Sequence, residues 1–77
     1  MSTVQTPLPG IFYRKPSPDA AEFVQEGDTV AAGQTIGLIE VMKSFTELKA
    51  DVAGVVSQFL VANEDEVSVG QNIAVVE

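Results

Sequence analysis

The two halves of this chain resemble each other, and this internal repeat limits its possible folds more than any other feature. Residues 27–40 align with residues 64–77 at an offset of 37, sharing aspartate, valine, glycine, glutamine, isoleucine and a final glutamate. Residues 9–12 align with 53–56 at an offset of 44, so the first half holds seven additional residues. Two similar halves in 77 residues predict one small domain in which each half buries its apolar face against the other.

The composition favours β-strands in both halves. Valine occurs 12 times, against four leucines and four isoleucines, and β-branched side chains suit a pleated, half-buried surface. Short alternating segments between glycines predict strands near Ile11–Tyr13, Phe23–Val24, Thr29–Val30, Thr35–Glu40, Ser44–Lys49, Gly54–Phe59, Glu66–Val67 and Asn72–Val76. The predicted core includes Val30, Ile36, Leu38, Leu48, Val56, Phe59, Val67 and Ile73. We therefore predict an all-β fold, a flattened barrel or sandwich of two four-stranded antiparallel sheets with quasi-twofold symmetry.

The domain boundaries follow from the same alignment. Residues 1–6 precede the first repeated segment and are expected to be a flexible N-terminus, partly ordered at best, so that residues 7–77 form the domain. The seven additional residues correspond to Arg14–Ala20, in which Pro16 and Pro18 cannot donate backbone hydrogen bonds. This segment is predicted to be a stiff protruding loop rather than an inner strand.

The ionisable residues exclude several functions. Without histidine or cysteine the chain cannot form a serine–histidine–aspartate triad, a cysteine nucleophile, a zinc finger or a disulfide. The net charge of −7 argues against nucleic acid and anionic membranes as partners. Asn63–Glu66 lacks the spacing of a calcium loop, so a solvated loop and no metal site are expected. No apolar run supports export or membrane spanning, which makes the cytoplasm the expected location.

One hairpin, spanning residues 35–49, departs from the usual rules for turns. Met42-Lys43 lies at its centre, although two-residue hairpin turns favour asparagine and glycine, which tolerate positive φ. Such a turn costs roughly 1 kcal/mol or more in backbone strain. Local rules tend to fail at functional sites, so we expect the turn to present the Lys43 amine at one end of the domain, opposite the termini.

These residues resemble a known family. Glu40-Val41-Met42-Lys43 is similar to the Glu-Ala-Met-Lys tetrapeptide of biotin carboxyl carrier domains. Phe12-Tyr13-Arg14 followed by Pro16-Ser17-Pro18-Asp19 resembles the "thumb" of carriers from bacterial and chloroplast acetyl-CoA carboxylases, which the biotin domains of most other carboxylases lack. The resemblance extends over Thr6–Glu77, and it places the thumb at about residues 14–20.

The resemblance implies a role for each matching residue. Lys43 would carry biotin in amide linkage, Met42 and Glu40 would help a biotin protein ligase to select it, and Val41 and Ser44 would complete the recognised turn. The thumb residues Lys15, Pro16, Ser17, Pro18 and Asp19 would cover part of the biotin ring. Three positions depart from the family pattern, which usually has alanine at 41, methionine at 44 and a small hydroxyl residue at 15.

The resemblance also implies a function and partners. The domain would take a carboxyl group from a biotin carboxylase and deliver it to a carboxyltransferase, with acetyl-CoA as the favoured acceptor, forming malonyl-CoA for fatty acid synthesis. It would itself be a non-catalytic carrier.

Three alternatives remain at this point. A lipoyl carrier shares the fold but resembles Asp-Lys-Ala at the tip and lacks a thumb. An unmodified lipoyl-like module would act only in assembly and has no need for Met42-Lys43. An independent enzyme has the least support, because the chain lacks histidine, cysteine and the size to enclose a cavity.

Overall fold

The computed structural model describes residues 2–77 and consists of short strands joined by turns. The strands are β1 (Ser2–Gln5), β2 (Gly10–Tyr13), β3 (Thr29–Val30), β4 (Thr35–Val41), β5 (Ser44–Lys49), β6 (Gly54–Phe59), β7 (Glu66–Val67) and β8 (Asn72–Val76). Seven of these coincide, within one residue at each end, with strands expected from the sequence. None of the residues in 2–77 belongs to a helix long and apolar enough to cross a membrane.

The strands form two four-stranded sheets, with orders β1-β8-β6-β3 and β5-β4-β2-β7 and antiparallel pairing throughout. An offset of 44 relates β1 to β5 and β2 to β6, and an offset of 37 relates β3 to β7 and β4 to β8. Each strand of one sheet therefore has its counterpart at the same place in the other. The predicted all-β fold and its quasi-twofold symmetry are confirmed.

The core lies between the two sheets. Its largest fully buried side chains are Phe12, Ile36, Ile39, Ile73, Val30, Val56, Val76 and Thr6. Most of the predicted core is buried, but Leu38 and Phe59 remain partly exposed. Leu38 pairs with Tyr13 on the outer face of its sheet, and Phe59 packs at the edge of the core.

The expected strand at Phe23–Val24 does not form. Val24 is buried, but the backbone of the segment bonds to Arg14 and not to a strand: Phe23 N–H donates to the Arg14 carbonyl at 2.9 Å, and the Val24 carbonyl accepts from Arg14 Nη2 at 3.4 Å. The segment leaves the loop 14–20 and crosses to β3, so its apolar residues anchor the loop instead of joining a sheet. The apolar pattern of the sequence alone could not distinguish a strand in a sheet from a segment that anchors the loop.

The expectation of a flexible N-terminus at 1–6 is wrong for residues 2–6, and Met1 lies outside the described residues. Ser2–Gln5 pair with β8, and Val4 is only 2% exposed. Thr6 N–H donates to the Gln71 carbonyl, and the Thr6 carbonyl accepts from Gly70 N–H. This strand occupies the place that β5 holds in the other half, and it covers an otherwise open edge of β8.

The symmetry also determines where the hairpin tip lies. In one sheet, Val41 pairs with Ser44 next to the turn, and in the other Ser2 pairs with Val76. The quasi-twofold axis therefore exchanges the β4–β5 turn with the paired chain ends. A two-residue turn joins β4 to β5 at the Val41–Ser44 pair. At the equivalent pair, Ser2 and Val76, no turn joins the strands, because β1 is the first and β8 the last strand of the described chain.

Replacing Val4 by alanine should lower the free energy of unfolding by about 2 kcal/mol, because the side chain is buried between the sheets. Urea denaturation followed by circular dichroism measures the change. The matched control is Gln5→Ala on the exposed face of the same strand, which should change stability by about 0.5 kcal/mol or less. Equal effects of the two substitutions would show that β1 is not packed as described.

Candidate functional site

The turn between β4 and β5 adopts the strained conformation predicted for it. The strands remain paired up to Val41 and Ser44, which leaves Met42 and Lys43 as the two turn residues. Their φ angles are 50° and 69°, both in the left-handed region. Two central residues with positive φ form the type I′ turn, whose twist matches that of the flanking strands. The chain therefore maintains an unfavourable backbone conformation where asparagine and glycine would be easier to accommodate.

The turn exposes its side chains to solvent. Met42 is 93% exposed, far more than is usual for a large apolar side chain, and Lys43 is exposed beside it. Within residues 2–77 the ion pairs join Arg14 to Glu22 and Lys49 to Glu47, and neither involves Lys43. The Lys43 amine is therefore accessible to a reagent that approaches the tip.

Three side chains from adjacent strands meet on the outer face next to the turn. Glu40 of β4 lies between Ile11 and Phe45 in the register, and Tyr13 lies diagonally across from it. The Tyr13 hydroxyl donates to Glu40 Oε1 at 2.9 Å, and its ring meets that of Phe45 with centroids 6.0 Å apart. The hydrogen bond to Glu40 raises the pKa of Tyr13 above its ordinary value, assisted by desolvation and by the negative charges of Glu40 and Glu64.

The loop 14–20, here called the thumb, is attached to the barrel through Arg14. The Arg14 backbone N–H donates to Asn63 Oδ1 at 2.8 Å, and its carbonyl accepts from Phe23 N–H. Its guanidinium lies 4.1 Å from the Phe59 ring centroid and pairs with Glu22 at 3.4 Å. These contacts hold the start of the thumb against the barrel and join it to Glu22 and Phe23, just beyond the end of the thumb.

A groove of about 400 Å³ separates the thumb from the hairpin. It is lined by Tyr13, Lys15, Pro16, Ser17, Pro18, Phe45, Asn63 and Glu64. Four of the predicted thumb residues therefore face the groove, whereas Asp19 is exposed and does not line it. The hairpin contributes Phe45, two residues after Lys43, while Val41, Met42 and Ser44 remain outside the lining.

Sequence reasoning missed four of these lining residues. Tyr13 and Phe45 could have been found from the two-residue period of strands, which places both on the outer face with Glu40. Asn63 and Glu64 belong to a segment that was expected to be an ordinary solvated loop. Instead, Asn63 accepts the Arg14 N–H, and Glu64 has a φ of 71° and donates its N–H to the Phe12 carbonyl. Only the tertiary contacts reveal these roles.

Comparison with known proteins places this geometry in a family. A family profile described as "Biotin-requiring enzyme" matches residues 2–76. The biotin carboxyl carrier protein of acetyl-CoA carboxylase from Streptococcus pyogenes is 46% identical over 70 residues, covering 91% of this chain and 42% of the relative. The protein of the same name from Porphyra purpurea is 41% identical over 76 residues, covering 99% of this chain and 48% of the relative. The crystal structure of Kluyveromyces lactis urea carboxylase superposes with a TM-score of 0.80 at 28% identity, covering 99% of this chain and 6% of that one.

The fold and the turn define a class of small all-β domain that presents one lysine at a hairpin tip. Within that class, the chain belongs to the biotin and lipoyl attachment family, whose profile names biotin as the required group. The chain spans less than half the length of the two curated relatives described above.

Replacing Met42 by asparagine should raise the free energy of unfolding by about 1 kcal/mol, because asparagine tolerates the left-handed region better than methionine. Methionine loses little packing there, since its side chain is almost fully exposed. Denaturant unfolding measures the gain. Ser44→Asn is the matched control, because Ser44 lies in β5 without positive φ, and it should give no gain. A similar gain at both positions would contradict strain at Met42.

Proposed function

We propose that this chain is a biotin carboxyl carrier domain and that Lys43 is the residue to which biotin is attached. The observation that carries the proposal is the strained Met42-Lys43 turn, which holds an exposed amine at the tip of a rigid hairpin. Packing gives no reason for methionine and lysine there, because both side chains face solvent. The family profile and the names of the curated relatives support biotin as the attached group.

The residues around the tip suit such a group. The groove beside the hairpin has a volume within the usual range for small-molecule sites. The Tyr13 and Phe45 rings supply apolar surface on one side, and Pro16 and Pro18 supply it on the other. Ser17 and Asn63 add side-chain hydrogen-bonding groups to the lining. A compact bicyclic ring with a polar ureido edge would find both kinds of contact there.

Attachment requires a separate enzyme. Amide formation requires the lysine amine to lose a proton, and the chain contains neither histidine nor cysteine to accept it. A biotin protein ligase must therefore remove the proton and align the amine with the activated biotin carboxyl group. The ligase would recognise the folded turn, with Glu40 and Met42 as determinants beside Lys43 and with Val41 and Ser44 completing the surface it meets.

The attached domain would act as a carrier without catalysing a reaction. When bound, biotin supplies a ring nitrogen that can accept and release a carboxyl group. The barrel keeps Lys43 at a fixed distance from the core, while the lysine side chain provides a flexible arm. The partners would be a biotin carboxylase and a carboxyltransferase, and each must release the domain in every cycle, so the contacts should be small and transient. The relatives' names support acetyl-CoA as the acceptor of the carboxyl group.

Lys43→Arg should abolish biotinylation by a biotin protein ligase, because the guanidinium is not a substitute for the amine nucleophile. Intact mass and streptavidin blotting after co-expression with the ligase measure the loss. Lys49→Arg, a substitution of an exposed lysine at the far end of the same hairpin, is the matched control and should leave modification complete. An unmodified parent chain, or a mass increase corresponding to a lipoyl group, would refute the proposal.

We also propose that the thumb covers part of the attached biotin. The support is the arrangement of Lys15–Pro18 across the groove from Phe45, together with the anchoring of the thumb by Arg14. Lys15 lines the groove at the position where the family pattern has a small hydroxyl residue, so its ammonium could donate a hydrogen bond there.

Biotinylation should shift the amide NMR signals of Lys15, Ser17 and Phe45, because the ring would lie against these residues. The signal of Gly33 is the internal control, since it lies in the turn before β4, at the far end of the hairpin. Shifts confined to Met42–Ser44 would show that biotin extends into solvent and does not contact the thumb.

A further inference from the structure

The outer-face cluster of Tyr13, Glu40 and Phe45 connects the groove to the Met42-Lys43 turn. Its members come from the three adjacent strands β2, β4 and β5. Glu40 is the last strand residue but one before the turn, and Phe45 is directly opposite it on β5. The hydroxyl of Tyr13 reaches Glu40 Oε1, while its ring rests against Phe45. Each side chain thus restricts the other two.

The hydrogen bond from Tyr13 restricts the positions that the Glu40 carboxylate can take. Glu40 is three residues before Lys43, and only Val41 separates it from the two-residue turn. In an acidic domain with few cations, a mobile carboxylate at this position would attract the Lys43 ammonium. The Tyr13 hydroxyl instead holds the carboxylate on the outer face, and Lys43 takes part in no ion pair within the described chain.

We propose that Tyr13 is a positioning residue for modification of Lys43, because it fixes the Glu40 carboxylate beside the turn and keeps it from pairing with the Lys43 ammonium. The inference rests on the proposed function, since a ligase must meet both groups. Because the hydrogen bond from Tyr13 already orders the Glu40 side chain, less conformational entropy is lost when a ligase contacts it. Since Lys43 takes part in no ion pair within the described chain, no contact of that kind has to be broken before its amine enters the ligase.

The chain offers a direct optical test of the contact, because Tyr13 is its only tyrosine and it contains no tryptophan. Absorbance of the phenolate near 295 nm therefore reports Tyr13 alone. The charged groups facing the ring are Glu40 from β4, Glu64 from the loop before β7 and Lys15 from the thumb. In the parent chain we expect Tyr13 to ionise at higher pH than a free tyrosine.

Glu40→Gln should shift this titration to lower pH, because it removes the negative charge beside the phenolate and places an amide donor there. Glu47→Gln is the matched control. It removes one carboxylate from the same hairpin, at an exposed position that makes no hydrogen bond to Tyr13, and should leave the titration within experimental error. Circular dichroism at each pH ensures that the chain remains folded. Equal titrations of the parent and Glu40→Gln would overturn the proposed contact.

The second measurement is the rate of biotin transfer by a biotin protein ligase to the unmodified domain. Tyr13→Phe removes the hydroxyl and keeps the ring against Phe45, so the fold should be retained. We expect it to reduce kcat/KM about fivefold, because the Glu40 side chain would then have to be ordered when the ligase contacts it. Glu40→Gln should also reduce kcat/KM, and the double variant should be no slower than Glu40→Gln alone, because Tyr13 acts through Glu40.

The outcomes separate this inference from the proposed function. If the parent chain is never biotinylated, the proposed function fails and the positioning role fails with it. If the parent is biotinylated and Tyr13→Phe reacts equally fast, only the inference is wrong. Independent, additive effects of Tyr13→Phe and Glu40→Gln would likewise overturn it. A reduced rate in Tyr13→Phe with the expected non-additivity supports it, provided that the unfolding midpoint shows the variant to be folded.

Discussion

The burial of two sheets against one shared core is the constraint on which the rest of the structure depends. The chain has no cysteine, so no disulfide can supplement this core, and small domains bury a limited share of their surface. Phe12 and Ile36 from one sheet meet Val56 and Ile73 from the other, and all four are fully buried. Because equivalent strands must cover equivalent faces, β1 is needed as the counterpart of β5, which explains why Ser2–Gln5 form a strand.

The same strands hold the core together and carry the site, because successive side chains of a strand point to opposite faces. Phe12 and Ile39 point inward and are almost completely buried, whereas the next residues, Tyr13 and Glu40, point outward and form a hydrogen bond. A rigid interior therefore fixes the relative positions of the groups outside it. The hydrogen bond from Tyr13 holds the Glu40 side chain on the outer face beside the turn, although Glu40 contributes little to the core.

Met42 and Lys43 do not stabilise the turn in which they lie. Both have positive φ, and their side chains face solvent, so they gain no packing in return for the strain. The paired strands on either side offset that cost, because the β4–β5 register continues without interruption from Gly37 and Leu48 to the turn. The paired strands beneath the turn thus hold the exposed Lys43 side chain at the tip of the hairpin.

The sequence by itself determined the sheet content, the symmetry and the exposed lysine turn, because each depends on local periodicity or on the conformational limits of Met42 and Lys43. It could not show that Ser2–Gln5 form a strand or that Phe23–Val24 do not, since pairing depends on which edge of a sheet is free. It also could not join Arg14 to Asn63 or Tyr13 to Glu40, which are 49 and 27 residues apart. Those contacts form only when packing of the core brings distant strands and loops together. The local sequence does not indicate which residue will be the neighbour across the barrel.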